Sequence, residues 1–148
     1  MRRAGEAQRE RLHQTFAELC RIPSPSGHER ACADWLTGAL RALGLDVEED
    51  DSGPTVGSDA GNLLARIPGQ RRESILLCAH MDTVPLAAPV EPVLIDGRWE
   101  NANEGILGAD NKSAIAVLVE LARWVSLAAE PVHRSEEPDV SISRGSAS

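Results

Sequence analysis

No apolar run approaches the roughly 20 residues that cross a bilayer, so a membrane span is not expected. The first residues, MRRAGEAQRERLHQ, carry charge without an apolar stretch, which argues against a secretory leader. Cysteine is scarce: Cys20, Cys32 and Cys78 are odd in number and lack CxxC spacing. That pattern argues against a disulfide framework and points to reduced thiols in a cytoplasmic setting. Basic residues are in the minority, 15 Lys and Arg against 23 Asp and Glu, for a net charge of −8. With no basic stripe to offset it, nucleic acid is not an expected partner. The chain has no GxGxxG, no GxxxxGK and no GxSxG, so it lacks the sequence signatures of dinucleotide, P-loop and serine-hydrolase sites. It has no internal repeat.

What remains is a chain of 148 residues, 42% hydrophobic, with the length for one domain. At that size folding buries roughly two-thirds of the unfolded surface. Residues 6–20 have the spacing of an amphipathic helix, with Leu12, Phe16 and Leu19 on one stripe. RIPSPSGHE breaks it with two prolines. Ser26 stands three positions before Glu29, the signature of a capping box that opens a second helix ending near Gly44. LDVEEDD, NLLARIP and ESILLCAH are strand candidates, and DSGPTVGSDAG is a loop. In EPVLIDGRWE the Asp96-Gly97 pair predicts a two-residue hairpin turn. A helix is predicted from Lys112 to Leu127, and its all-apolar stretch Ala114–Val119 predicts that it lies deep. Apolar strands alternating with helices imply an α/β domain, a layered sheet with flanking helices.

The chemistry concentrates in two places. In ILLCAHMDTV, Ile75, Leu76 and Leu77 suit a strand covered on both faces, after which His80 and Asp82 emerge on one side. Sites in open α/β sheets gather at such strand ends. A metal-bound imidazole usually donates its other N–H to a carboxylate, a part Asp82 is spaced to play. The second place is GADNK, where Asp110 opens the last helix. The simpler accounts are a hydrogen-bonded histidine at 80 and an N-cap at 110, since helix N-termini favour carboxylates. Spacing alone leaves both accounts open. Cys78 shares a strand face with His80 but lies about 6.6 Å further back, the place of a small core residue. His28 is expected to be exposed, and neither His13 nor His133 has a partner nearby in sequence. Trp99 and Trp124 are expected in core or hairpin packing. Asn111-Lys112-Ser113 matches a glycosylation sequon, but the start of a buried helix is no place for a glycan.

LLCAHMDTVP together with ILGADNKSAIAVLVEL resembles the zinc-dependent peptidases that include peptidase T, a tripeptide aminopeptidase. Acetylornithine deacetylase and succinyl-diaminopimelate desuccinylase are relatives. The resemblance runs from about residue 8 to residue 130, and the wording of GSDAGNLLARIPG and ILGAD is nearer the peptidase T side. It implies the N-terminal portion of a di-zinc aminopeptidase-like catalytic domain. It implies that His80 is a ligand to one zinc, that Asp82 orients His80 in the catalytic centre, and that Asp110 bridges two zinc ions. It also implies a cis peptide bond between Asp110 and Asn111, a short peptide as substrate, and hydrolysis by a metal-activated water.

The complete family further needs a Glu-Glu pair, another acidic ligand, a late histidine and a second domain. Glu136-Glu137 is a poor candidate for the pair. The preceding AAEPVHRS has no apolar run to form the strand that would return it to the site. From about His133 the family resemblance stops. Residues 1–132 are therefore expected to be a partial catalytic domain, and residues 133–148 a divergent, disordered tail of the kind a frameshift or premature end produces. The chain is expected to be truncated relative to the family. The alternatives to a peptidase are a non-catalytic fragment or pseudo-enzyme with weak metal or partner binding, and a subunit completed by another chain.

Overall fold

The computed structural model describes residues 4–129. The fold is α/β, with helices α1 (Glu6–Arg21), α2 (Arg30–Arg41), the short α3 (Gly53–Val56) and α4 (Ala109–Ala129). Strands β1 (Val47–Glu49) and β2 (Leu63–Ala65) pair antiparallel, as do β3 (Pro92–Ile95) and β4 (Arg98–Asn101).

The stripe read along the first helix is the face that packs. Phe16, Ala17, Leu19 and Cys20 of α1 are buried, and α1 lies chiefly against α4. Arg11 clamps the pair by donating two hydrogen bonds to Glu120, at 2.6 and 3.2 Å. From α2, Cys32, Ala33 and Leu36 complete a core shared with Val90, Ile115, Ala116 and Val119. The last helix is less enclosed than its composition suggests. Ile115, Ala116, Val119 and Ala122 face the core, while Val117, Trp124 and Leu127 are exposed. Its all-apolar stretch therefore does not mark a helix covered on every side, and Trp124 is not a packing residue among the described residues. Trp99, by contrast, meets Phe16 edge-on at 5.6 Å and His13 at 5.8 Å.

The second helix ends as read and begins otherwise. The Gly44 N–H donates to Arg41 and the Leu45 N–H to Leu40, the bond pattern of a Schellman motif, with Gly44 at φ 77° and Leu45 buried. At its start the capping box does not form. Glu29 is the N-cap, and Asp59 of a distant loop accepts the Arg30 N–H at 2.8 Å. Glu29 instead accepts from the Gly27 N–H and the Ser58 hydroxyl, and Ser26 turns elsewhere. The helix is capped by tertiary contact because residues 57–60 reach it first.

The hairpin forms with Asp96 at φ 49° and Gly97 at φ 77°, the positive pair a type I′ turn requires. The run ESILLCAH does not join either sheet. Ile75 is 87% exposed and Leu76 78% exposed. A strand covered on both faces needs neighbours, and none of the described strands lies beside this one.

Candidate functional site

Two loops meet below the start of α4. Residues 22–26, the proline-broken link after α1, run alongside residues 81–83 in one parallel bridge between Pro25 and Thr83. The Thr83 N–H donates to the Ser24 carbonyl at 2.8 Å, and the Ser26 N–H to the Thr83 carbonyl at 3.2 Å. The Ser24 hydroxyl donates to the Met81 carbonyl at 2.8 Å. From α4 the Lys112 side chain, 1% exposed, donates its ammonium N–H to the Ile22 carbonyl. Burial lowers the Lys112 pKa. The link is thus tied on one side to the His80–Thr83 segment and on the other to the first turn of α4.

These ties bring together the three residues singled out in the sequence. His80 Nδ1 lies 2.9 Å from Asp82 Oδ1 and 3.1 Å from the Asp82 carbonyl. Both partners are acceptors, so Nδ1 carries the proton and the lone pair of the neutral ring sits on Nε2. Nε2 lies 3.4 Å from Asp110 Oδ1. Burial pulls the His80 pKa down, but the hydrogen bonds to Asp82 and the charges of Asp82 and Asp110 outweigh it, and the net shift is upward. Asp82 is held below the usual carboxylate range, first by the Ser26 hydroxyl that donates to Oδ2 and then by His80, against some burial. Asp110, its side chain 93% exposed, follows the buried Gly108 and half-buried Ala109 and precedes the helical part of α4. The Asp110–Asn111 bond is cis. Asp110 has extended backbone angles there and Asn111 is non-helical too, so the regular helix begins only after them.

The Nε2···Oδ1 separation has a chemical meaning. Two donors on one tetrahedral zinc, each about 2.0–2.1 Å from it, stand about 3.3 Å apart. The observed 3.4 Å fits that edge. Among the described residues no group of three or more His, Cys, Asp or Glu side chains comes together to hold a metal. The fit is therefore to a pair of ligands and not to a closed site. Cys78 is exposed, not the small core residue its strand position suggested. His28 is exposed and stands 3.9 Å from Asp59, away from the pair. Glu136, Glu137 and residues 133–148 lie outside the described residues. Sequence reasoning missed Ser26 and Lys112. Ser26 was assigned to a cap, and the one signal for Lys112 was a charged residue inside an apolar helix.

The family model for peptidase family M28 matches residues 62–141, a stretch that holds both motifs. The chain belongs to this family. The cytosol non-specific dipeptidase of Escherichia coli is 35% identical over 127 residues, covering 74% of this chain and 24% of that protein. A tripeptidase structure from Staphylococcus aureus superposes with a TM-score of 0.73 at 35% identity, over 80% of this chain and 32% of that one. The aminopeptidase PepT of Bacillus cereus gives a TM-score of 0.70 at 31% identity with the same coverage. The resemblance to the peptidase T group is borne out in both sequence and fold. The chain spans 24% to 32% of the length of these proteins.

Proposed function

We propose that this chain carries one edge of a zinc centre that serves hydrolysis of short peptides. His80 and Asp110 are the metal ligands, and Asp82 is the carboxylate that orients His80. The carrying observation is the 3.4 Å between His80 Nε2 and Asp110 Oδ1, with Asp82 behind the ring at 2.9 Å. Zinc bound there supplies a Lewis acid that polarises the peptide carbonyl and acidifies water. Asp82 fixes the tautomer that leaves Nε2 free, and makes His80 a more basic ligand. Asp110 offers an exposed carboxylate that would also be open to a second zinc, the role that the family resemblance implies. The buried, unpaired thiols of Cys20 and Cys32 support a reducing, cytoplasmic setting. Burial raises the Cys20 pKa to about 11, so that thiol stays protonated and inert.

A second reading has its own support. The two ligands among the described residues are fewer than the three or four protein groups that hold zinc tightly, so weak metal binding is expected of the polypeptide on its own. Among the described residues no further carboxylate joins the pair as a general base, a group usually worth about 10² to 10⁴ in rate. Zinc titration calorimetry separates the readings of the site. Weak binding abolished by His80→Ala and by Asp110→Ala is the expected result, and tight binding that survives both overturns the ligand assignment. A tripeptide panel with added zinc tests catalysis, and no turnover above the His80→Ala control is expected. Chelator-sensitive release of amino acids that disappears in His80→Ala would show the site completed, and would turn attention to Glu136 and Glu137.

A further inference from the structure

We infer that Ser26 is a positioning residue for the metal site, acting on His80 through Asp82. This rests on the zinc reading above. Ser26 belongs to neither motif and lies 54 and 56 positions before the residues it serves. Its backbone N–H holds the Thr83 carbonyl at 3.2 Å, and its hydroxyl donates to Asp82 Oδ2. Residue 26 therefore grips the segment on both sides of the Asp82–Thr83 peptide.

The geometry gives the hydroxyl a specific task. Asp82 has two oxygens, and Oδ1 is the one that accepts from His80 Nδ1. A carboxylate held by a single hydrogen bond can still swing about its Cβ–Cγ bond. With Oδ2 tied to Ser26, the plane of the carboxylate is set and Oδ1 stays aimed at Nδ1. The imidazole then presents Nε2 toward Asp110. The link 22–26 is braced in turn at Ile22, whose carbonyl accepts from the ammonium of Lys112, two residues after Asp110. Ser26 itself is exposed, and removing its hydroxyl opens no cavity in the core.

The test uses the whole chain with Ser26→Ala and Ser26→Thr. Loss of a residue behind a metal ligand typically costs ten- to hundredfold in metal affinity. Ser26 stands one bond further out, so zinc affinity by calorimetry is expected to fall about tenfold in Ser26→Ala and to recover in Ser26→Thr. Far-UV circular dichroism and the urea midpoint are expected to match the parent. In the metal-free chain, ¹⁵N resonances of the His80 ring are expected to show Nδ1–H in the parent and a mixed tautomer in Ser26→Ala. A purely structural serine would not move that signal. Unchanged zinc affinity and unchanged His80 resonances in Ser26→Ala overturn the proposal, while His80→Ala still abolishing zinc binding shows the metal reading intact. Zinc binding indifferent to His80→Ala overturns the metal reading and this proposal with it.

Discussion

The loop from Asp50 to Asn62 and the run from Ser74 to Ala79 contrast in composition and in fate. The loop is polar and rich in glycine and serine, yet its groups are closely partnered. Asp50 alone accepts from the Ser52 N–H and hydroxyl and from the Asn62 N–H and side-chain amide, at 2.6 to 3.1 Å. The Gly53 N-terminal turn and Gly61 press so closely on neighbouring carbonyls that a Cβ at Gly61 would collide with the Asp50 backbone. The run is apolar and bonded to neither sheet, with Ile75, Leu76 and Leu77 facing water. A polar loop carries its bonding partners within a few residues of itself. An apolar strand has its partners elsewhere in space, and its composition says only that it needs them.

The largest expected effect follows from the uncovered run. Exposed apolar side chains beside unpaired backbone invite association with another chain. The chain is expected to self-associate in a concentration-dependent way, and the double variant Ile75→Lys, Leu77→Lys to disperse. Each such side chain is worth at least about 1.5 kcal/mol when buried. The two together weaken association roughly a hundredfold. Sedimentation velocity over a concentration series measures this, and a parent that stays monomeric at high concentration removes the contrast.

A smaller effect probes a turn that, like the loop, is locally determined. Gly97→Ala places a Cβ at φ 77°, which costs about 1 kcal/mol. The urea midpoint is expected to fall accordingly, with the β3–β4 hairpin the first region to exchange its amide protons. An unchanged midpoint would mean that the hairpin contributes nothing to the cooperative unit.

The smallest effect concerns Asp50, whose carboxylate is open to water, so its bonds are heavily screened. The Ser52 hydroxyl first, then Asn62, depress its pKa well below that of a free aspartate. A folded-state pKa below the unfolded value adds stability that is complete above the unfolded value, about 3.9, and is lost as pH falls toward the folded one. Urea midpoints at pH 7 and pH 3 are expected to differ more in the parent than in Asp50→Asn. Equal pH dependence would show that Asp50 titrates alike in the folded and the unfolded chain.

The same contrast explains how much was legible beforehand. Periodicity revealed α1, α4 and the packing stripe Phe16–Leu19, because one helix face needs no knowledge of what covers it. Asp96-Gly97 named its own turn, and the Gly44 end of α2 did the same. His80, Asp82 and Asp110 were legible as motifs, and the structure brings all three together. The cap of α2 was not legible, because Asp59 arrives from a loop 29 positions beyond Arg30. Ser26 matched a local pattern and was drawn into a distant one, where a carboxylate offered it a stronger acceptor. The exposure of Ile75 was illegible for the opposite reason, since its residue type answers to neighbours the local sequence does not name.

Lys112 is the only lysine in the chain, and it is buried with its nitrogen bonded to Ile22. Amine-reactive reagents therefore meet no open lysine on the folded protein. A lysine label, counted by mass spectrometry, can enter only when the first turn of α4 separates from the link after α1. The rate of that addition is a clock for the opening of the joint on which the His80–Asp110 spacing depends, readable without a fluorophore, a metal or a substrate.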